Sequence, residues 1–486
     1  MNRLLPLCAV ATSVLLFAGC ARTPTTPDRI ETAAKPRPPR PNVVLIVCDD
    51  AGYADFGFTT EARAPGSEVV ATPRLDELAN SGVVLERAYV AASVCSPSRA
   101  ALLTGRYPQR FGHEFNLPYR KNEPLGLPLS EQTIADRLRA RGYACGAFGK
   151  WHLGVHAGYR PLDRGFDVFS GLLGGSRSYF AQEGGATAEP RPRAWMQDHD
   201  PIADPEGSYV TDRIADGAIE FIQSHASEPF FAYVAFTAPH TPMHALESDL
   251  DAVGDSETPE RRRALLALMR SLDRSVGSIL DALNEAGVSD RTLIWFINDN
   301  GGATNNGSDN GILRGMKGSK WEGGVRVPAV VRWPGVVRPG TRDRRIVSAL
   351  DILPTALAAT GTPAPRAAGL DGIDLAPRWR DERAGDDRGP LFWRRGPAAA
   401  VLDGNWKLIR VEDNPPLLFD LATDPGETVN LSETKPELAA KLLRQLAVWE
   451  QGLVEPLWDT GERWRKNQVR KHRLEVRGRA AERKLP

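Results

Sequence analysis

The residues able to do chemistry fall at four points that share one local pattern. The apolar run 43–47 passes through Cys48 into Asp49-Asp50. The run 144–148 leads into Gly149-Lys150-Trp151-His152, 230–236 into Pro239-His240-Thr241-Pro242, and 293–297 into Asn298-Asp299-Asn300-Gly301-Gly302. Each run reads as a buried strand, and in an open parallel sheet ligands bind outside the carboxyl ends of the strands. These ends would gather three carboxylates, one carboxamide, one ammonium and two imidazoles in one crevice. Asp49, Asp50, Asp299 and Asn300 are hard oxygen donors, and they suit calcium or magnesium and not zinc. Taken singly, Asp-Asp after a strand also serves a turn with a helix cap, and Asp-Asn-Gly-Gly is a common turn. Two such pairs at two strand ends make the stronger case.

A fifth element is Cys95-Ser96-Pro97-Ser98-Arg99. Ser96 is a good helix cap and Pro97 suits the first helical position, which places Cys95 at a helix N-terminus. There the free N–H groups and the dipole favour an anion, and Arg99 reaches back to the same spot. From chemistry alone Cys95 reads as a low-pKa nucleophilic thiol. The plain alternative is a small packing residue before a capped helix.

The elements that must position these residues alternate between strands and helices. Helices are expected over 73–80 (Thr72 as cap, Pro73 first, Gly82 beyond), over 131–141 (Ser130 before, Gly142 after) and over 259–286. Strands that are continuous apolar runs separated by helices argue for a mostly parallel sheet covered on both faces. Residues 376–461 change character, with short antiparallel strands over 398–402, 406–411 and 417–421 and a helix over 436–451, which reads as a smaller α+β unit. Residues 462–486 are basic and polar and read as a solvated tail, with a grip on a polyanionic substrate as the lesser reading.

The chain has 486 residues, 42% hydrophobic and 25% charged, enough for a large core plus a second unit. Lys plus Arg equals Asp plus Glu at 61 each, so nothing global points to nucleic acid or to a membrane surface. Residues 1–20 read as a secretory signal, with Arg3, an apolar stretch over 4–17 and then Ala18-Gly19-Cys20. The Cys after small residues resembles a bacterial lipoprotein signal, with Cys20 as the lipid anchor of an exported periplasmic or outer-membrane protein. A plain cleaved signal is the alternative. Residues 21–41 read as a flexible tether. Cys48 and Cys145 sit in apolar runs and read as buried free thiols, although they could pair.

Taken in order, these motifs resemble the sulfatases of the alkaline phosphatase superfamily. Cys95-Ser96-Pro97-Ser98-Arg99 fits C-x-P-x-R and is followed by Leu103-Thr104-Gly105-Arg106. Asp49-Asp50, Gly149-Lys150-Trp151-His152-Leu153-Gly154, Pro239-His240-Thr241-Pro242 and Asp299-Asn300-Gly301 all fit, as does Lys317-Gly318 leading to Glu322-Gly323-Gly324. Leu418-Phe419-Asp420-Leu421, Asp424-Pro425 and Asn430-Leu431 resemble the family's C-terminal subdomain. The resemblance runs from Asn42 to near residue 435. It implies an α/β fold in which 42–375 form a sulfatase catalytic domain, a large mostly parallel sheet sandwiched by helices, beside a smaller C-terminal α+β subdomain with an antiparallel sheet.

The resemblance also implies that a maturation enzyme oxidises Cys95 to formylglycine, a change that spacing does not reveal. Asp49, Asp50, Asp299 and Asn300 would bind calcium (Ca2+), ahead of magnesium (Mg2+), together with residue 95. Arg99 and Lys150 would hold the formylglycine, and His152 would contact its second hydroxyl. His240, Lys317 and Lys150 would bind the sulfate, with His240 and Lys317 at the leaving-group oxygen. Ser176 is the nearest candidate for one further sulfate-binding position, and His113, His244, Arg177 and Arg314 are candidates for substrate contact. The implied reaction is hydrolysis of a sulfate ester on a sulfated small molecule or polysaccharide, and the segment 171–180 resembles carbohydrate sulfatases. The alternatives are a formylglycine-dependent phosphonate monoester or phosphodiester hydrolase, a non-catalytic surface glycan-binding protein, and a plain cysteine hydrolase.

Overall fold

The apolar runs singled out in the sequence form the middle of one eleven-stranded sheet. The structure, a computed structural model, describes residues 40–472 except 64–69, 182–191, 255–257, 363–368, 382–387 and 413. The strands are β1 (Asn42–Cys48), β2 (Val83–Tyr89), β3 (Ala144–Lys150), β4 (Val168–Leu172), β5 (Trp195–Gln197), β6 (Asp200–Ile202), β7 (Phe230–Ala235), β8 (Thr292–Asn298), β9 (Arg326–Val327), β10 (Ala329–Arg332) and β11 (Thr341–Ser348). Their order is β11-β2-β10-β8-β1-β7-β3-β4-β5-β6, with β9 on β2. The block β8-β1-β7-β3-β4 is parallel throughout, and β5, β6, β9 and β10 enter antiparallel. Cys48 lies opposite Asn298 and Val47 opposite Ala235, so the polar segments after these strands begin side by side.

Alternate side chains of a strand point to opposite faces, and here both faces are covered. Val43, Leu45 and Val47 pack with the helices Cys95–Thr104, Ile134–Arg139 and Ile352–Ala359. Val44 and Ile46 pack with Pro73–Asn80, Val210–Ser224 and Glu260–Glu285. That is why β1 reads as an unbroken apolar run. The helix expected over 131–141 starts later, because Thr133 and Asp136 form a reciprocal cap, their side chains accepting each other's backbone N–H at 3.1 and 2.8 Å. Thr72 precedes its helix as expected, but its hydroxyl accepts from the Gly57 N–H (2.8 Å) and not from the helix. Cys48 and Cys145 are buried and free, on β1 and β3 with β7 between them.

A four-stranded antiparallel sheet follows, with β12 (Leu391–Arg395), β13 (Ala398–Asp403), β14 (Trp406–Val411) and β15 (Leu417–Asp420). Helix Pro436–Glu450 covers one face, and the other packs on Tyr89, Trp321 and Val325. The solvated-tail reading is corrected for residues 462–472. They form helix Glu462–Lys471, with Gln468 and His472 buried. The His472 ring accepts from the Lys320 N–H (2.8 Å), the Trp321 indole donates to Lys471 O (3.0 Å), and Trp464 meets Phe115 edge-on. These partners lie far away in sequence, which is why composition suggested solvent. Residues 473–486, the expected signal with Cys20, and the tether apart from 40 and 41 lie outside the described residues. Among the described residues no helix is long and apolar enough to cross a membrane.

One buried ion network joins the two sheets. Lys407 on β14 reaches Glu322 (2.8 Å) and Glu427 (2.9 Å), and Tyr89 donates to Glu322 (2.9 Å). Burial pushes Glu427 up to about 7 even so. Lys407→Met would leave two buried carboxylates without their cation, and the expected cost in denaturant unfolding is about 3–5 kcal/mol. Adding Glu427→Gln should recover part of it. A cost below about 1 kcal/mol, the size of an exposed pair, would show that the network does not hold the second sheet in place.

Candidate active site

Neighbouring strand ends deliver the floor of the site. Asp49, Asp50, Asp299 and Asn300 are at most 2% exposed. Asp50 has φ 70°, a left-handed conformation that is unfavourable for a residue with a side chain. Ser308 Oγ and Asn306 Nδ2 hold it there by donating to its carbonyl at 2.7 and 3.0 Å. Asn298 Nδ2 ties β8 to its loop by donating to Ala51 O (2.6 Å) and Asn300 O (2.5 Å). A Cβ at Gly301 would lie 1.9 Å from the Gly323 carbonyl oxygen. The close approach explains why the Asp-Asn-Gly and Glu-Gly-Gly motifs occur together.

Helix Cys95–Thr104 aims its N-terminus at this floor. Val94 is its cap, so Cys95 is the first helical residue, two positions further in than Ser96 capping would place it. The Ser96 hydroxyl instead donates to His152 O (2.8 Å) and meets His113 Nε2 (2.6 Å). Cys95 Sγ lies 3.6 Å from Asp49 Oδ1, 3.9 Å from Asp50 Oδ1 and 2.9 Å from Lys317 Nζ. Lys317 also reaches both Asp50 oxygens (2.5 and 2.7 Å), and Lys150 reaches Asp49 Oδ2 (2.5 Å). Arg99 grips Asp299 Oδ2 through Nε (3.0 Å) and Nη2 (2.9 Å) and sits 3.5 Å from Asp49.

Three carboxylates thus face three fixed cations. Burial opposes ionisation of Asp49, but Lys150, His240 and Arg99 outweigh it and hold its pKa well below the usual range. Asp299 goes the other way, pushed up to about 7 by burial and then by Asp49. Burial also pushes the Cys95 thiol up to about 12, with Lys150 and Lys317 pulling against it. The low-pKa thiol expected from sequence is therefore corrected. A helix end and two ammonium groups do not offset burial among carboxylates.

The floor fits a hard divalent cation. Asp299 Oδ1 and Asn300 Oδ1 are buried with no donor among the described residues. Asn300 Nδ2 donates to Asp50 Oδ1 (2.7 Å) and Gly301 O (3.0 Å), which fixes the amide with its oxygen left over. Each unsatisfied buried acceptor costs about 1–3 kcal/mol. A cation would satisfy both and relieve the repulsion at Asp299. An all-oxygen set of this charge suits calcium or magnesium.

His240 and Lys317 form the rim and line, with Asp50, a cleft of roughly 410 Å³. His240 Nδ1 is 2.6 Å from Thr241 O, which only accepts, so Nδ1 carries a hydrogen and Nε2 is left for the cleft, 3.5 Å from Asp50 Oδ2. His152 has φ 60°, and its Nδ1 is shut off from solvent without a hydrogen-bond partner among the described residues. Burial, Lys150 and Arg99 hold its imidazole neutral, and Gly175 packs directly on the ring.

The remaining candidates separate from this group. Ser176 follows Gly175, is partly buried and makes no hydrogen bond to a described residue. His113 is buried edge-on to Trp458 (4.7 Å) and supports Ser96. His244 pairs with Ser178 Oγ (3.1 Å). Arg177 is ion-paired to Asp204, and Arg314 donates to Glu427 O (2.7 Å) and stacks on Trp321, so both serve the fold. Sequence reasoning missed Arg395, Trp464 and Lys471, which line the same cleft as His240 and Lys317. The basic run from 462 was visible, but nothing local to it gave its position.

The comparisons with known proteins agree with this geometry. The family model for sulfatases matches residues 41–362. Human arylsulfatase A is 33% identical across 80% of this chain and 83% of its own length. Human N-acetylgalactosamine-6-sulfatase is 32% identical across 85% and 86%. The crystal structure of Ps i-CgsB in complex with k-i-k-neocarrahexaose superposes with a TM-score of 0.81 at 33% identity, covering 90% of this chain and 99% of that one. With a family match over most of its length and relatives of this identity and coverage, the chain belongs to the sulfatase family and is a sulfuric ester hydrolase.

Proposed function

We propose that the protein removes sulfate from a sulfated carbohydrate, using a formylglycine made from Cys95 and a calcium ion held by Asp49, Asp50, Asp299, Asn300 and residue 95. The observation that carries this reading is the position of Cys95 Sγ, 3.6 and 3.9 Å from two carboxylates and 2.9 Å from Lys317, beside two buried oxygens without donors. A thiol pushed up to about 12 is a poor thiolate source, which speaks against a plain cysteine hydrolase. Carbohydrate is favoured because the sugar-bound relative covers 90% of this chain at 33% identity.

When bound, calcium supplies a Lewis acid and the hydrated formylglycine supplies the attacking oxygen. The chain's own residues do the rest. Lys150, Lys317 and Arg99 place fixed positive charge where negative charge grows in the transition state. His240, with Nδ1–H committed to Thr241, presents Nε2 and delivers a proton to the departing alcohol from its doubly protonated form, which burial disfavours and Asp50 and Asp49 favour. His152, held neutral by burial and two cations, is ready to accept a proton when sulfate is released.

Mass spectrometry of the peptide carrying residue 95, from protein made in its native host, should show a loss of about 18 Da against unmodified cysteine. An unmodified thiol in protein that still turns over a sulfate ester would sink the nucleophile assignment. Dialysis against a calcium chelator should abolish activity and lower thermal stability, and calcium should restore both better than magnesium. At 100 times its Kd the ion would add about 2.7 kcal/mol. Full activity and unchanged melting after exhaustive chelation would overturn the metal assignment. His240→Ala should slow an alkyl or sugar sulfate by about 100- to 10,000-fold but slow 4-nitrophenyl sulfate far less, since nitrophenolate leaves unprotonated. Equal losses on both would remove the general-acid role.

A further inference from the structure

One cation in the cleft wall is buried and has no hydrogen-bond or ion-pair partner among the described residues. Arg395 ends β12, is 8% exposed, and its guanidinium makes no hydrogen bond or ion pair with a described residue. The carboxylate that acts on it electrostatically is already committed. Glu114 accepts from Arg394 at 3.0 and 2.8 Å and from the Gly396 N–H at 2.8 Å. Neighbours on a strand point to opposite faces, so Arg394 takes the acid and Arg395 turns to the cleft.

The slot around Arg395 is built. Its guanidinium lies 4.5 Å above the Trp464 ring, and Trp464 is braced edge-on by Phe115 at 4.9 Å. A Cβ on Gly318 would meet Arg395 Nη1 at 2.9 Å and Lys471 Nζ at 3.4 Å. Two cations therefore converge over the residue next to Lys317, and Lys471 Nζ is fixed there by donating to Lys317 O (2.9 Å). The cleft of roughly 410 Å³ is lined both by Asp50, His240 and Lys317 and by Arg395, Trp464 and Lys471. Burial pulls the Arg395 pKa down to about 9, the direction expected of a guanidinium without an anion. A desolvated guanidinium is costly unless paired, and its planar fork matches sulfate or carboxylate through two hydrogen bonds.

We infer that Arg395, backed by Trp464 and assisted by Lys471, is a specificity subsite for a second anionic substituent of the carbohydrate, a sulfate or carboxylate close to the scissile sulfate ester. This rests on the proposed reading that the substrate is a sulfated carbohydrate. It adds that the preferred substrate carries at least two negative groups.

The test is calorimetric binding to calcium-loaded Cys95→Ala protein, which needs no turnover. The probes are matched sulfated disaccharides of galactose and of glucosamine type. One set differs by a single additional sulfate, and the other by a uronic carboxylate. For at least one set the doubly charged member should bind about 10- to 100-fold tighter, the range for a hydrogen-bonded charged group. Adding Arg395→Met should bring that ratio close to one. Arg395→Lys should keep part of it, and Lys471→Met, at a partly exposed position, should lower it by a few fold. The set that responds tells sulfate from carboxylate. A ratio near one in the parent protein, or a ratio that survives Arg395→Met, overturns the subsite. Turnover of 4-nitrophenyl sulfate by the native protein is measured separately. Its absence would count against the proposed reaction, while an Arg395-dependent binding ratio would still stand.

Discussion

Asp49, Asp50 and Asp299 meet in a floor shut off from water, where each isolated carboxylate would cost several kcal/mol. Much of the molecule around them is arranged to make that floor tolerable. Lys150 comes from the end of β3, Arg99 from the helix that starts at Cys95, and Lys317 from the loop ahead of Glu322, so three separate segments each supply one cation. The balance is local and incomplete. Asp49 is held ionised, whereas Asp299, gripped on one oxygen only, is pushed up towards neutrality and keeps its other oxygen empty. A divalent cation fits that imbalance. It would add charge where the lysines and arginine leave a deficit and take up oxygens that no N–H of the described residues reaches.

Holding such a floor requires backbone that ordinary residues avoid. Asp50 and His152 both sit at positive φ, and each is over-determined by its surroundings. Asn306 and Ser308 clasp the Asp50 carbonyl, and Ser96 takes the His152 carbonyl. The glycines at 301, 323 and 324 let two loops touch backbone to backbone. The second sheet completes this support through Lys407, since Glu322 opens the Glu-Gly-Gly segment that presses on Gly301. Distant segments are thus bolted to the site, and Lys407 on β14 is joined to the loop of Asp299 and Asn300 through Glu322, whose neighbour Gly323 meets Gly301.

The parts legible in the sequence are those set by short-range pattern. Buried parallel strands advertise themselves as unbroken apolar runs, and their polar exits showed where Asp49, Lys150, His240 and Asp299 would meet. The ionisation of Cys95 was not legible. Its sign depends on the contest between burial, two lysines and the neighbouring carboxylates, and spacing gives none of those distances. The late start of helix Ile134–Arg139 was missed because the Thr133–Asp136 cap outcompetes Ser130. The terminal helix was missed for a different reason. It braces Trp464 on Phe115, packs Val469 on the apolar cluster of the second sheet, and ends in polar contacts to Lys320 and Trp321, about 150 residues upstream. No local periodicity encodes a partner at that distance.

Floor and wall divide the work. In the proposed reaction the floor would address the metal, residue 95 and the sulfate group that every sulfate ester shares, so it would set the reaction and be indifferent to which alcohol departs. Selection among alcohols falls to whatever lines the cleft beyond His240 and Lys317, which includes the end of β12 and helix Glu462–Lys471. A guanidinium kept there without an anion lowers stability in the free protein, because its desolvation is incurred at folding and the Trp464 ring offsets only part of it. A substrate anion of the right reach meets a fork that is already dehydrated and already fixed over Trp464. Neither ordering nor desolvation of that side chain then subtracts from binding. An uncharged substituent in the same place leaves the guanidinium unpaired, so discrimination follows from the stability sacrificed in the empty cleft.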